Sequence, residues 1–297
     1  MKDVKNWRGA WAAIPTPFEM SGAVDLAALR RHVDYLCAHG IDGIVAHATT
    51  GEAATMTADE KISVLETCLE VCAGRVPVIA GIGTNDTRTT IENAKLAQVH
   101  GADGLLVVTP YYNKPNQEGQ YRHFMAVADA VDLPQILYNV PGRTGTRCLP
   151  KTLGRLALHP NIVGIKDATA DMVIASQTRI EAGSEFLMFS GDDGTTLPFI
   201  AVGGVGAISV VANVAPQLMH DIIALALDGH YAKARALHEK MLPLFTALFS
   251  DTSPIPLKAL LSRFSELAYP GGLRSPLFAM SAEQADQLCA SVREFIV

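Results

Sequence analysis

Short apolar segments alternate with amphipathic segments along the first three quarters of the chain. Eight apolar segments can be identified, at residues 9–15, 43–48, 76–82, 104–110, 134–140, 161–166, 185–191 and 205–211. They lack the regular polar alternation of a strand with one solvent-facing side, which is typical of strands buried on both faces. The pattern therefore predicts eight buried strands.

The segments between these strands carry helical patterns with recognisable ends. One begins at a capping Asp25 and ends at Gly40, and the next begins with Thr57 and Glu60 in the spacing of a capping box. Further helical patterns occupy residues 86–101, 116–131, 171–183, 194–204 and 215–230. Strands that alternate with helices in this way predict a (β/α)8 TIM barrel over residues 1–229. A doubly wound open sheet is the alternative, but no GxGxxG motif opens a helix after the first strand.

The strand pattern stops near residue 230. Helical patterns follow at residues 231–249, 254–267 and 281–297, separated by the turn-rich segments SDTSP and YPGGLRSP. The sequence thus predicts a C-terminal all-helical extension over residues 230–297, with no long linker before it.

Composition narrows the class of protein. The 297 residues are 49% hydrophobic and 18% charged, as in a compact globular protein. The net charge of −6, without a basic block, argues against binding to nucleic acid or to an anionic membrane. We identify no signal peptide and no apolar run of about 18 residues that would span a membrane. An odd number of scattered cysteines is typical of reduced thiols in a cytoplasmic protein; they are Cys37, Cys68, Cys72, Cys148 and Cys289.

Chemistry in a TIM barrel is expected at the C-terminal ends of the strands. Lys166 is the only lysine at such an end. Burial favours the neutral amine, which can attack a carbonyl carbon and form a Schiff base. The alternative is a lysine that reaches solvent or pairs with Asp167. Position alone leaves both interpretations open.

Other strand ends carry residues with a possible part in such chemistry. Tyr138 lies on the neighbouring strand, where its phenol can transfer a proton, although a core tyrosine is the plainer explanation. Thr49 and Thr50 precede a glycine at a strand end and can cradle a carboxylate, or form an ordinary turn. Arg143 can bind a carboxylate through two parallel hydrogen bonds, or lie on the surface.

Five motifs together resemble a known family. They are TTGE (49–52), VTPYYNKPNQEG (108–119), YNVPGRTG (138–145), GIKDAT (164–169) and SGDD (190–193). In this order they resemble the dihydrodipicolinate synthase and N-acetylneuraminate lyase family of pyruvate-dependent Schiff-base enzymes. The resemblance extends from residue 15 to residue 258. The motif YNVPGRTG, with its arginine, resembles the form found in the synthase branch of the family.

The resemblance implies catalytic roles for four residues. Lys166 would form the Schiff base with pyruvate, and Tyr138 would be the proton donor and acceptor. Thr49, Tyr138 and Tyr112 would form a proton relay, with Tyr112 reaching across a dimer interface into the partner's site. A homotetramer, as a dimer of dimers, is implied, and no cofactor beyond covalently bound pyruvate.

The resemblance also implies how substrates would bind. Thr50 and the backbone near Ile208 would hold pyruvate. Arg143 would bind the carboxylate of L-aspartate 4-semialdehyde, near Gly191 and Asp192. The product would be 4-hydroxy-tetrahydrodipicolinate, on the route to diaminopimelate and lysine.

The sequence departs from the family pattern at several positions. Lysine-inhibited members carry histidines and a glutamate at an allosteric site where this chain has Ala58, Lys61 and Thr89, so we expect no inhibition by lysine. Ser253 stands where asparagine is usual, and Ala170 where glycine is common.

Other functions remain open from the sequence. One is a sibling pyruvate aldolase that uses Lys166 on a sugar acid or another aldehyde. Another is a non-catalytic ligand-binding barrel, since the fold alone does not choose a function. A metal-dependent aldolase is a weaker alternative, because the carboxylates of Glu52, Asp192 and Asp193 are not joined by a histidine cluster.

Overall fold

The computed structural model describes residues 4–295 and contains a closed barrel of eight parallel strands. Each strand pairs with the next in chain order, and β1 pairs with β8 to close the barrel. The strands are β1 Gly9–Ala13, β2 Gly43–Ala46, β3 Val78–Gly81, β4 Gly104–Val108, β5 Gln135–Asn139, β6 Ile162–Asp167, β7 Leu187–Ser190 and β8 Gly206–Ser209. Seven lie within the predicted segments and β6 extends one residue beyond its segment, to Asp167, so the predicted TIM barrel is confirmed.

Helices surround the barrel and continue beyond it. Around the barrel they are α1 Leu26–Ala38, α2 Ala58–Cys72, α3 Thr87–Val99, α4 Gln117–Asp129, α5 Pro141–Thr144, α6 Pro150–Leu156, α7 Met172–Ala182, α8 Thr196–Ala201 and α9 Pro216–Leu227. The C-terminal helices are α10 Tyr231–Leu248, α11 Ile255–Leu261 and α12 Ala282–Ser291. None of the helices within residues 4–295 is long and apolar enough to cross a membrane.

The starts of two helices match the sequence predictions, whereas two short helices were not predicted. Asp25 caps α1 by accepting from the Ala28 N–H, and Thr57 with Glu60 forms the predicted capping box of α2. The short helices α5 and α6 were not predicted. Each begins with a proline, which suits the first turn of a helix, but four and seven residues are too few for a clear apolar period.

Aromatic side chains close one end of the barrel. Trp7, just before β1, packs edge-on against Trp11 with 5.1 Å between ring centroids, and Trp11 lies 5.5 Å from the Phe189 ring. Gly43 makes room for this packing, because a Cβ atom there would lie 2.3 Å from the Trp11 indole. The N-terminal end of the barrel is thus filled, which leaves the opposite end for a binding site.

The C-terminal helices share the outer apolar core with the barrel. Leu257, Leu260 and Leu261 of α11 belong to the same buried cluster as Leu36 of α1. The following segment also returns to the mouth of the barrel, where the Tyr269 hydroxyl donates to the Pro15 carbonyl at 3.0 Å. A division into two units at residue 230 remains a prediction.

Candidate active site

Lys166 and Tyr138 lie side by side inside the mouth of the barrel. The parallel register of β5 and β6 pairs Tyr138 with Lys166 directly. The Lys166 Nζ atom lies 4.4 Å from the centroid of the Tyr138 ring. Both side chains are buried, with relative exposures of 5% and 6%. A lysine in this position is not a surface residue that reaches solvent.

Burial changes the acid–base behaviour of Lys166. It lowers the pKa of the ammonium from 10.5 to about 8; Arg143 acts in the same direction, and the Asp193 carboxylate opposes it. At pH 7 a larger fraction of Lys166 is then a neutral amine than of an unperturbed lysine, which suits attack on a carbonyl carbon.

Burial also changes the pKa of Tyr138, but in the opposite direction. Burial raises the pKa of its phenol to about 12, whereas Arg143 and a hydrogen bond with Thr49 oppose the shift. The phenol therefore keeps its proton at neutral pH and can donate it. An uncharged donor beside a nucleophilic amine is the pairing that carbinolamine formation and dehydration require.

A cleft of about 520 Å³ opens beside Tyr138, which lines it, whereas Lys166 does not. Thr49, Tyr138 and Arg143 line it, together with Tyr111 and part of the segment around α11. Arg143 lies in the one-turn helix α5, and its Nη2 donates to the Ser253 carbonyl at 3.3 Å. The volume is within the range of small-molecule sites.

Three further predicted site residues border this region. Thr50 is buried in the loop after β2, and Ile208 is buried on β8 in the apolar cluster that contains Tyr138. Gly191 lies against Lys166, because a Cβ atom there would be 3.1 Å from the Lys166 Cε and Cγ atoms. A side chain at position 191 would thus press on the amine.

Two predicted site residues do not line the cleft of their own protomer. Tyr112 is 88% exposed and has a left-handed φ of 69°, and its neighbour Tyr111 lines the cleft instead. Asp192 Oδ1 accepts from the backbone N–H and the hydroxyl of Thr195, both at 2.8 Å. Its carboxylate therefore fixes the loop before α8.

Comparison with known proteins identifies the family of this chain. The model of the dihydrodipicolinate synthetase family matches residues 6–295. The chain belongs to this family.

Individual family members are similar over nearly their whole length. A 4-hydroxy-tetrahydrodipicolinate synthase of Pseudomonas aeruginosa is 45% identical over 286 residues, which are 96% of this chain and 97% of that one. A pyruvate complex of the Acinetobacter baumannii dihydrodipicolinate synthase has a TM-score of 0.94 at 40% identity and covers 98% of this chain and 99% of that chain. A monomeric dihydrodipicolinate synthase variant has the same TM-score and identity and covers 98% of this chain and 97% of that chain.

In this family member, Asp193 acts on Lys166, although the sequence analysis named it only as an available carboxylate. It is 2% exposed, and its Oδ2 accepts from the backbone N–H groups of Val210 and Val211 at 3.1 and 3.2 Å. Its charge favours the protonated form of Lys166. The SGDD motif signalled two carboxylates, but the turn after β7 decides which of them faces inward.

A buried ion pair that the sequence also missed lies beneath the Thr49–Thr50 loop. Lys258 of α11 pairs with Glu52 of the TTGE motif, and their side chains are 0% and 2% exposed. Lys258 also donates to the Gly272 carbonyl at 2.8 Å, and the Arg274 N–H donates to Glu52 Oε2 at 3.0 Å. Phe18 completes the cluster, with Lys258 Nζ 4.3 Å and the Arg274 guanidinium 4.1 Å from its ring centroid.

The described part of the chain contains no group of three or more histidine, cysteine, aspartate or glutamate side chains arranged to hold a metal ion.

Proposed function

We propose that this protein condenses pyruvate with L-aspartate 4-semialdehyde to give 4-hydroxy-tetrahydrodipicolinate, a step towards diaminopimelate and lysine. The observation that carries the proposal is the buried Lys166, with its lowered pKa, beside the protonated Tyr138. Its support from relatives is the 45% identity to a 4-hydroxy-tetrahydrodipicolinate synthase over 96% of the chain.

The first half of the reaction follows from the two pKa shifts. The neutral Lys166 amine attacks the C2 carbonyl of pyruvate, and the alkoxide that forms takes up the proton that the attacking nitrogen loses, which gives a carbinolamine. Tyr138 then donates a proton to the departing hydroxyl group, water leaves, and the Schiff base forms. In this proposal Thr49, which opposes the rise in the pKa of Tyr138, orients the phenol. The Tyr138 phenolate left by the dehydration step takes a proton from the pyruvate methyl group, which gives the enamine that attacks the aldehyde.

Substrate binding uses the surrounding residues. Thr50 and the backbone near Ile208 hold the pyruvate carboxylate, and Gly191 leaves room for the substituted Lys166. Arg143 binds the carboxylate of the aldehyde through two parallel hydrogen bonds. Asp192 supports this subsite by holding the loop after β7 in place.

Tyr112 completes the site of a second subunit in this proposal. Its high exposure and its strained backbone on the loop after β4 support a role at an interface. A dimer of dimers in the cytoplasm is proposed on the family resemblance; the five unpaired cysteines are compatible with a reducing compartment.

Borohydride trapping tests the Schiff base. Pyruvate and borohydride, with a chelator present, are expected to add one reduced pyruvate to Lys166, as located by peptide mass spectrometry. An adduct on another lysine would refute the assigned nucleophile. The absence of any adduct would favour a non-catalytic barrel or a metal-dependent aldolase.

A panel of aldehydes then separates the synthase from a sibling aldolase. The highest kcat/KM is expected with L-aspartate 4-semialdehyde in a coupled assay. A sugar-acid aldehyde that reacts faster would retain the Schiff-base chemistry and overturn the assigned second substrate.

Mixed subunits test the role of Tyr112. Tyr112→Phe and Lys166→Ala proteins are each expected to be nearly inactive, whereas a hybrid dimer carries one site with both side chains intact. Random mixing after co-refolding should restore about a quarter of the wild-type sites, since half of the dimers are hybrids with one intact site each. Failure of the mixture to exceed its parents would place Tyr112 outside the partner's site.

A further inference from the structure

Two thiols face each other at the ends of neighbouring barrel helices, far along the chain from the Schiff-base site. Cys37 is near the end of α1 and Cys72 is the last residue of α2, 35 residues later. Their Sγ atoms are 3.7 Å apart. A disulfide bond is about 2.05 Å long, so the sulfur atoms need to approach by roughly 1.7 Å. Rotation about the Cα–Cβ bonds can supply such a movement.

The helix ends that carry these thiols are held together. Arg75, just after α2, forms an ion pair with Asp34 of α1 at 2.8 Å. The same guanidinium donates through Nε to the Cys72 carbonyl at 3.3 Å. Because both helices are tied at this point, the two sulfur atoms stay near each other instead of meeting only in rare openings.

The two thiols differ in reactivity. The hydrogen bond with Cys72 lowers the pKa of Cys37, and the Arg75 charge adds to the effect. The same hydrogen bond and burial raise the pKa of Cys72. Cys37 is also partly exposed, whereas Cys72 is 1% exposed. Cys37 is therefore the thiol that an oxidant in solution reaches first, as a nucleophilic thiolate.

We propose that Cys37 and Cys72 form an oxidative modification site, at which a hydroperoxide converts the pair into a reversible disulfide. The Cys37 thiolate attacks one peroxide oxygen, the O–O bond breaks, and the released oxygen anion takes up a proton. Cys37 is then a sulfenic acid. The Cys72 sulfur attacks the Cys37 sulfur, the S–O bond breaks, and the hydroxide leaves with the Cys72 proton as water. The two thiols lose two electrons in total and the peroxide gains two.

The disulfide joins α1 to α2 at the end of the barrel away from the cleft. The C-terminal ends of α1 and α2 lead into the starts of β2 and β3, whereas the cleft is at the opposite ends of the strands. The cross-link should therefore leave kcat and KM unchanged. By restricting the unfolded chain it should raise Tm by about 4–6 °C in a protein of this size.

Peptide mapping of the full-length protein tests the proposal. After treatment with hydrogen peroxide and alkylation of the remaining thiols, trypsin should release residues 32–61 joined to residues 62–75. The joined peptide should weigh about two hydrogen atoms less than the sum of its parts, and dithiothreitol should separate it. The second peptide contains both Cys68 and Cys72, so the same experiment is needed on variants.

Cysteine variants identify the pair. Cys68→Ser and Cys289→Ser should retain the linked peptide, whereas Cys37→Ser and Cys72→Ser should lose it and also lose the rise in Tm on oxidation. Circular dichroism before oxidation checks that each variant is folded. A link through Cys68, a bond between two chains, or Cys37 oxidised to the sulfinic acid without a link would overturn the proposal.

Discussion

Replacing Lys258 with methionine removes the charge that balances Glu52 and keeps most of the apolar stem. In the native protein the Lys258 side chain is 0% exposed and that of Glu52 is 2% exposed. Burial lowers the pKa of Lys258 to about 8 although Glu52 opposes the shift, so the ammonium form prevails at pH 7. In the variant, Glu52 keeps the hydrogen bond from the Arg274 N–H but loses its countercharge.

The expected loss of stability is large. Removal of one partner from a buried ion pair costs about 3–5 kcal/mol, because the other charge stays desolvated. Unfolding of a 297-residue chain has an entropy of roughly 0.6 kcal/mol per kelvin, from about 2.1 cal/mol/K per residue. The Lys258→Met variant should therefore have a Tm about 5–8 °C lower in scanning calorimetry at pH 7.

An exposed ion pair provides a matched control. Arg235 and Glu239 are 69% and 68% exposed, with 3.6 Å between nitrogen and oxygen. Arg235→Met should lower Tm by less than about 1.5 °C, since such pairs contribute at most about 1 kcal/mol. The double variant Glu52→Gln/Lys258→Met should regain part of the lost stability, because no charge is left unbalanced. A Lys258→Met protein as stable as the Arg235→Met protein would refute the reasoning.

Four other outcomes are expected. The rate of borohydride-trapped adduct formation should rise with pH up to about 8 and then level off, because the lowered pKa of Lys166 makes the amine neutral above that pH; a rise that continues to pH 10 would contradict the burial effect. Arg143→Ala should still form the pyruvate adduct but lose about 30- to 1,000-fold in kcat/KM for the semialdehyde, as the removal of a desolvated charge contact costs about 2–4 kcal/mol, and near-normal turnover would point to another aldehyde. Millimolar L-lysine should not inhibit in a steady-state titration, because Lys61 repels its ammonium group and Thr89 supplies no countercharge; half-inhibition below about 1 mM would contradict this. Ala170→Gly should raise the free energy of unfolding by up to about 1 kcal/mol in a denaturant titration, because Ala170 has a left-handed φ of 55°, and a loss of stability would show that its methyl group contributes more than the strain costs.

The sequence predicted the barrel because buried parallel strands leave a strong and repeated pattern. It also predicted that Lys166 and Tyr138 lie close together, since the C-terminal ends of neighbouring strands must meet at one rim. The short helices α5 and α6 were not predicted, because one or two turns leave no clear apolar period. The choice between Asp192 and Asp193 depended on the turn after β7, which the motif alone does not determine.

The sequence patterns did not predict contacts between segments that are far apart in the chain. Glu52 and Lys258 are 206 residues apart, and neither lies in a pattern that names the other. Glu52 was noted in the TTGE motif and as an available carboxylate, and residue 258 only as the end of the family resemblance. The outward direction of Tyr112 depends in turn on its left-handed backbone, which a non-glycine residue seldom adopts.

The distance in sequence between Glu52 and Lys258 also sets an order of events during synthesis. The ribosome makes all eight strands, with Lys166 and Tyr138, before it reaches residue 258. Until then the Lys258 ammonium that balances the charge of Glu52 in the interior is missing. The loop with Thr49 and Thr50 is therefore expected to stay hydrated. A stalled nascent chain that ends after α10 should therefore fail to trap pyruvate under borohydride, although every strand is present. On this basis the protein acquires its chemistry late, when about the last sixth of the chain, after α10, leaves the ribosome.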